Sequence, residues 1–306
     1  MNNIVINLDK PAQITSQQAV VKVKRLLGAK KAGHAGTLDP LATGVLVVCL
    51  NEATKITRFL SDLDKEYRVQ LKLGERTDTY DSTGRIVEKK DPGELYAEDI
   101  RDVLSRFKGC IQQIPPMYSA VIISGKPLYK LARKGISVER SERSVHIYEL
   151  ELLSFHHPHV NLRVACSKGT YMRTLCEDIG NVLGTGAHMT ALERTKVGNF
   201  RIEYAVSLAE LPDQTNVFYT MDEVLSHLRE IVLDHDSWQR EKNGLPVDIT
   251  PSEIRTPFGA GHNGMGNSLF RGCQYVRLKN PAHILFGIGV LENNSLKVER
   301  LFNNPE

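Results

Sequence analysis

The chain has 306 residues, 41% of them hydrophobic and 25% charged, with a formal net charge of +3. This is ordinary globular usage and excludes a wholly disordered chain, while 13 prolines and 23 glycines exclude collagen-like and low-complexity architectures. No apolar run approaches the roughly 20 residues that span a bilayer, and the first residues lack a basic segment followed by a long apolar one, so a cytoplasmic protein without membrane contact is expected.

In chain order, Thr15 to Leu27 reads as a helix capped by Thr15 or Ser16, with Ala19, Val20, Val23 and Leu27 on one stripe and Gly28 at its end. Val45 to Leu50 is a continuous apolar run, the signature of a strand buried on both faces. Glu52 to Leu63 reads as a helix. Tyr67, Val69, Leu71 and Leu73 alternate with Arg68, Gln70 and Lys72, which predicts a half-buried strand. A helix over Tyr96 to Phe107 turns Ile100, Val103, Leu104 and Phe107 inward. His146 to Phe155 and Val160 to Cys166 follow as strands. Next comes a helix over Tyr171 to Leu183 with Met172, Leu175, Ile179 and Val182 as its core stripe, and then a helix over Met221 to Ile231. From about residue 232 the texture becomes rich in Gly, Asn and Pro. It closes on short strands over Cys273 to Leu278, His283 to Leu291 and Leu296 to Phe302, so the expected domains are 1–231 and 232–306.

Charge is uneven along the chain. Lys22, Lys24, Arg25, Lys30 and Lys31 occur within ten residues that hold no acid, and Lys126, Lys130, Arg133, Lys134, Arg140 and Arg143 are opposed only by Glu139 and Glu142. Such clusters suit phosphate contacts, although solvated faces balanced by acids elsewhere give the same pattern. The cysteines, Cys49, Cys110, Cys166, Cys176 and Cys273, are odd in number and form no CxxC pair, which argues against a disulfide framework or a zinc ribbon and for small buried hydrophobes.

Two stretches carry chemistry. Gly33-His34-Ala35-Gly36-Thr37-Leu38-Asp39-Pro40-Leu41-Ala42-Thr43-Gly44 is a conformationally constrained loop that leads into the buried strand, with a lone carboxylate between apolar neighbours. Burying Asp39 there is costly unless it is paired, which makes it a candidate nucleophile or general base; an aspartate capping a turn before Pro40 is the alternative. In Cys166-Ser167-Lys168-Gly169-Thr170-Tyr171-Met172-Arg173-Thr174, two cations fall at a helix N-terminus, where they oppose the helix dipole by about 0.3–1 kcal/mol each. An anion for them to meet, a ligand phosphate or a carboxylate such as Asp39, explains the placement; side chains extending into water are the alternative.

These stretches resemble the motifs of the TruB family of bacterial tRNA pseudouridine-55 synthases. The Gly33 to Leu46 segment is similar to the family's catalytic motif. Leu8-Asp9-Lys10-Pro11 with Ile14-Thr15-Ser16 is similar to its N-terminal motif, and Asp64-Lys65-Glu66-Tyr67-Arg68-Val69 to its tyrosine motif. Gln113 to Ala120, Ser167 to Arg173, and Gly186-Ala187-His188 with Leu192 and Arg194 complete the set in family order over roughly residues 5–200. One departure is Gln13, where the family motif carries glycine; a turn that needs positive φ would be strained there.

The resemblance implies an α+β fold, a mixed and mainly antiparallel sheet with flanking helices, followed by a small β-rich PUA-like domain. It implies isomerisation of uridine 55 in the T-arm loop of tRNA, with no cofactor and no metal. No obligate protein partner is expected, and a monomer is the default expectation. It makes Asp39 the catalytic aspartate. Tyr67 would pack on the target base and Arg173 would pair with Asp39. Tyr171 and Leu192 would line the uracil pocket, and His34 would fill the space of the flipped base. Lys168 and Lys10 would join the substrate-binding set. Attack on C1′, deprotonation of C2′ and addition to C6 all require Asp39 charged in a water-poor pocket.

Overall fold

The computed structural model describes residues 3–123, 125–213, 218–242, 245, 247–248, 254–255, 274–292 and 295–303. The N-terminal part contains β1 (Ile4–Lys10), α1 (Ser16–Leu26), β2 (Ala32–His34), β3 (Thr43–Leu50), α2 (Thr57–Ser61), β4 (Lys65–Leu73), β5 (Glu75–Thr77), β6 (Ile86–Lys89) and α3 (Ala97–Ser105). There follow β7 (Gly109–Gln113), β8 (Ile122–Ile123), β9 (Lys126–Pro127), α4 (Leu128–Ala132), β10 (Arg143–His156), β11 (His159–Cys166), α5 (Met172–Val182) and β12 (Ala187–Val197). The chain continues through β13 (Phe200–Arg201), β14 (Val206–Ser207), β15 (Phe218–Thr220), α6 (Met221–Val224), β16 (Arg229–Val232), α7 (His235–Lys242), β17 (Val247–Asp248), β18 (Ile254–Arg255), β19 (Gln274–Lys279), β20 (Leu285–Glu292) and β21 (Ser295–Leu301).

The large sheet runs β14-β1-β3-β12-β4-β11-β10-β7, with β2, β13 and β15 paired at its margins. Its pairs are antiparallel except β1 with β14 and β3 with β12. This is the mixed, mainly antiparallel α+β fold that the resemblance implies. The apolar run of β3 is buried because the strand lies between β1 and β12 and is covered on both faces. Alternate residues enter one core with Leu46 and Val48 and a second with Val45, Val47 and Cys49. β4 is central as well, and its alternation places Tyr67, Val69, Leu71 and Leu73 inward.

α1 forms as its stripe predicts. Thr15 caps it in a reciprocal box with Gln18, Ala19, Val20 and Val23 are buried, and Gly28 follows at φ +61. α5 corrects its expected stripe at one position. Met172, Leu175 and Ile179 are buried, but Val182 is 46% exposed. A Cβ on Gly180 would lie 2.3 Å from the Ala187 nitrogen, so the helix meets β12 along Cys176 and Gly180, and Val182 points away.

Two predicted helices take other forms. Over Glu52 to Leu63 the chain makes a 3-10 segment, Asn51–Ile56, and then the short α2. The hydroxyls of Thr54, Thr57 and Ser61 bond back to the carbonyls of Asn51, Thr54 and Thr57, which competes with regular α geometry. Over Met221 to Ile231 a capping box of Thr220 and Glu223 starts α6, yet the helix ends after one turn and Arg229–Val232 becomes β16. The pairing of β16 with β19 and β18 overrides the helical pattern. Among the cysteines, Cys49, Cys166 and Cys176 are buried as expected, Cys110 is exposed, and Cys273 lies outside the described residues.

The smaller sheet runs β17-β21-β20-β19-β16-β18. It packs on the first unit through Leu285, Ile288 and Phe302, which join the core of Val45, Val47 and Phe59. A charged latch fixes the same junction. Arg277, nearly buried, contacts Asp222 of α6 at 2.5 Å and Glu230 of β16 at 3.2 Å, and Lys279 reaches the same two acids. Asn243-Gly244 and Pro246, and nearly all of the irregular segment from Arg255 to Phe270, lie outside the described residues. Among the described residues no helix is long and apolar enough to cross a membrane.

Candidate active site

The β2–β3 loop carries Asp39, and the segment after β1 holds that loop in place. The Leu38 N–H donates to Ser16 Oγ at 2.8 Å, and the Ser16 hydroxyl donates back to the Leu38 carbonyl at 3.0 Å. The Ala42 N–H donates to the Asp39 carbonyl at 3.1 Å, and the Gln13 N–H donates to the Pro40 carbonyl at 2.7 Å. Gln13 makes its bond from φ +67, so the strain expected of a non-glycine at this position is present. Gln13→Val is therefore expected to cost about 1–2 kcal/mol more than Gln13→Gly in urea unfolding, because a β-branched residue tolerates positive φ least. Equal stability of the two variants would mean that the turn relaxes without cost. Lys10, buried at the end of β1, donates to the carbonyls of Pro11 and Ile14 at 2.8 and 2.9 Å and braces the same turn.

Asp39 does not cap the turn with its side chain. Arg173, at the second position of α5, meets it with a two-pronged contact: Nε to Oδ2 at 2.9 Å and Nη2 to Oδ1 at 3.1 Å. The arginine side chain is 6% exposed and the aspartate side chain 30%, so the pair is sealed on the protein side and open toward solvent on the other. Nη2 also donates to the Tyr118 carbonyl at 2.8 Å, which ties the pair to the segment after β7. The cation at the helix N-terminus thus meets a carboxylate, as one of the two sequence readings required. Burial pushes the Asp39 carboxyl up, Arg173 and Lys10 draw it down, and Asp81 pushes it up.

Tyr67 faces this loop from β4. It stands opposite Arg194 of β12 and hydrogen-bonds with it; burial raises its phenol, and the Arg194 charge lowers it. Arg194 is itself buried and donates to the carbonyls of Val45 at 2.7 Å and Gly36 at 3.1 Å. That contact needs a close approach at Gly44, where φ is +96 and a Cβ would lie 2.3 Å from the Arg194 carbonyl oxygen. Leu192, 8% exposed, pairs with Val69 two positions along the same strands. His34 ends β2; burial and the Arg194 charge lower its imidazole. Tyr171 is the N-cap residue of α5, and its N–H donates to the buried Gln113 side chain at 3.0 Å. Tyr67, Leu192 and Arg194 are thus joined across β4 and β12 and His34 lies within the field of Arg194, while Tyr171 is placed by its bond to Gln113. Lys168 stands apart from the Asp39 pair and instead contacts Asp62 at 2.7 Å.

The family model described as TruB family pseudouridylate synthase (N terminal domain) matches residues 24–172, and the one described as tRNA pseudouridylate synthase B C-terminal domain matches residues 173–238. The chain is 42% identical over 300 residues to the tRNA pseudouridine synthase B of Haemophilus influenzae (strain 86-028NP), covering 97% of this chain and 94% of that one. It belongs to the TruB family of pseudouridylate synthases. It is also 47% identical over 247 residues to the tRNA pseudouridine synthase B of Clostridium tetani, covering 80% of this chain and 86% of that one. In the crystal structure of a Cbf5–Nop10–Gar1 complex, a chain 26% identical superposes with a TM-score of 0.74, covering 98% of this chain and 85% of that one. An H/ACA RNP structure bound to a substrate RNA containing 2′-deoxyuridine gives 25% identity and a TM-score of 0.71, with the same coverage. The chain is accordingly an enzyme of the isomerase class, built on the pseudouridine synthase fold.

Two features of this synthase site escaped the sequence reading. Asp81 is buried, and its Oδ2 lies 3.9 Å from Arg173 Nη1, so the guanidinium stands between two carboxylates. Asp81 Oδ1 accepts from the Thr79 hydroxyl and from both the N–H and the hydroxyl of Thr83. Its signal was Thr77-Asp78-Thr79-Tyr80-Asp81-Ser82-Thr83, an acid ringed by short hydroxyl side chains after a core strand. Lys65 is the second. It points inward at the start of β4 and donates to the carbonyls of Ser61 and Leu63, next to Arg194.

Burial, with Arg194 beside it, lowers the Lys65 ammonium to about 8, and burial lowers Lys10 to about 8. Below pH 8 the folded and unfolded chains both carry these protons. Between pH 8 and the ordinary lysine value of 10.5 only the unfolded chain does, so raising the pH through this window favours the folded state. Lys65→Met is expected to flatten the rise in unfolding free energy above pH 8 by up to about 1.4 kcal/mol per pH unit, read from urea titrations of both proteins. Thiol ionisation is common to the two proteins and cancels in the difference. Parallel pH profiles would place Lys65 in water.

Proposed function

We propose that this chain converts uridine 55 in the T-arm loop of tRNA to pseudouridine, with Asp39 as the reacting carboxylate and no cofactor. The observation that carries this reading is the two-pronged Arg173–Asp39 pair, sealed beneath and open above, beside Tyr67. The N1–C1′ bond breaks, the base turns, C5 bonds to C1′, and the C5 proton leaves while N1 gains one. Arg173 keeps Asp39 charged and oriented against the cost of burial. Tyr67 packs against the base, with Tyr171 and Leu192 completing the pocket. Extruding a stacked uridine costs a few kcal/mol, and His34 offsets part of that by refilling the stack.

RNA affinity comes from phosphate contacts. Lys22, Lys24, Arg25, Lys30 and Lys31 are exposed on and after α1, and Lys126, Lys130, Arg133, Lys134 and Arg143 are exposed around α4. Lys168 and Lys10 complete the substrate-binding set, Lys168 from its place beside Asp62, apart from the Asp39 pair, and Lys10 through its charge near Asp39. We take residues 1–231 as the catalytic unit and 232–306 as a PUA-like RNA-binding unit, whose sheet also draws in β16, three residues of which precede that line. The protein acts in the cytoplasm as a monomer without a protein partner.

The test maps pseudouridine at single-nucleotide resolution on a tRNA transcript and on the same transcript with cytidine at position 55. The reading requires one modified position in the first and none in the second; modification elsewhere in both would overturn the position. Binding measured from low to moderate salt is expected to weaken by orders of magnitude, and a flat response would overturn the two basic faces as the RNA surface.

A further inference from the structure

The carbonyls of Leu38, Asp39 and Pro40 are each taken by a different donor: the Ser16 hydroxyl, the Ala42 N–H and the Gln13 N–H. Two of those donors are backbone groups that any residue supplies. The third is a side chain, and it also accepts the Leu38 N–H. Ser16 therefore satisfies both polar backbone groups of the residue immediately before Asp39, as a neighbouring strand would. It does so from the first turn of α1, where Ala19, Val20 and Val23 anchor the helix in the core. Ser16 is 2% exposed and Leu38 3%, so water cannot replace the hydroxyl without opening the loop.

We propose that Ser16 is a positioning residue for the reacting carboxylate. Arg173 fixes the end of the Asp39 side chain, and Ser16 fixes the backbone from which it grows. Without the hydroxyl, the peptide at Leu38 turns to find water or another partner, and Asp39 shifts with it. A misplacement on the scale of 1 Å is enough to cost about 10²-fold in rate. Ser16 is buried and its hydroxyl is engaged with Leu38 rather than facing solvent, so its loss falls on kcat rather than on RNA binding. The inference rests on Asp39 being the reacting group.

The test compares kcat and KM on a tRNA transcript for the wild type, Ser16→Ala, Ser16→Cys and Val23→Ala, with urea unfolding for each. Val23 is buried in the same helix about two turns beyond Ser16, and its side chain can make no hydrogen bond to the loop, so Val23→Ala reports on lost packing. Ser16→Ala is expected to lower kcat by about 10- to 100-fold with KM within about threefold of the wild type, while Val23→Ala keeps wild-type kcat. Ser16→Cys, with weaker hydrogen bonds, is expected to fall between. The proposal is overturned if Ser16→Ala turns over within about threefold of the wild type, or if Val23→Ala loses as much kcat at a matched loss of stability. Should Ser16→Ala not fold, wild-type kcat in Ser16→Cys overturns it. A wild type that makes no pseudouridine would instead defeat the functional reading itself.

Discussion

Arg173→Ala is expected to unfold about 3–5 kcal/mol more easily than the wild type and to lose turnover by about 10²–10³-fold. The two losses have one cause. The guanidinium is almost fully buried, grips Asp39 with two nitrogens, donates to the Tyr118 carbonyl and lies 3.9 Å from Asp81. Its removal leaves two carboxylates facing each other with no cation between them. Burial and Asp81 then push Asp39 upward with the main opposing charge gone, so a larger share of the enzyme carries a protonated aspartate. The acid limb of kcat/KM should accordingly move to higher pH, which single-turnover rates from about pH 5 to 8 will read. Arg173→Lys retains the charge but lacks the planar fork and should recover stability better than rate. Near-normal turnover in Arg173→Ala would sever the pair from the chemistry.

Asp39→Asn is expected to abolish turnover, with a loss of at least about 10⁴-fold, while folding and tRNA binding persist. The amide has the shape of the carboxylate and still accepts a hydrogen bond from Arg173, and the loop is held by Ser16, Ala42 and Gln13 independently of the side chain. Stability should therefore stay within about 2 kcal/mol of the wild type, far less than the cost of removing Arg173. The expected contrast is that losing Asp39 removes reactivity alone, whereas losing Arg173 removes reactivity and structure together. Filter binding and urea unfolding on the same preparation separate these effects. Residual turnover well above the uncatalysed level would assign the chemistry to another group.

The parts of the fold legible in sequence were those with a local cause. α1 announced itself through a capping box, an apolar stripe and a terminal glycine, and β4 through strict alternation. β1 and β12 were passed over. In β12 the buried side chains include His188, Arg194 and Thr195, so no apolar pattern marks a strand that lies at the centre of the sheet. The helix read over Met221 to Ile231 failed because the partners of β16 lie more than 20 residues downstream. In the site, Asp39 and Arg173 were visible as local anomalies: a carboxylate among apolar neighbours, and a cation at a helix start. Their pairing across 134 positions was one of the readings the anomalies left open, and the one the family resemblance implies. Asp81 drew no reading from the sequence, and Ser16 read only as a possible helix cap. What distinguishes them is burial against the loop, a property of the assembled fold that no window of sequence contains.

The most direct measurement is tritium release from a tRNA transcript labelled at C5 of uridine, with wild type and Asp39→Asn side by side. Isomerisation at a single uridine driven by Asp39 predicts release of one equivalent per transcript by the wild type and none by the variant, at equal tRNA binding. Binding by the wild type without release would contradict it, leaving a protein that holds tRNA on a synthase fold and does not act on its uridine.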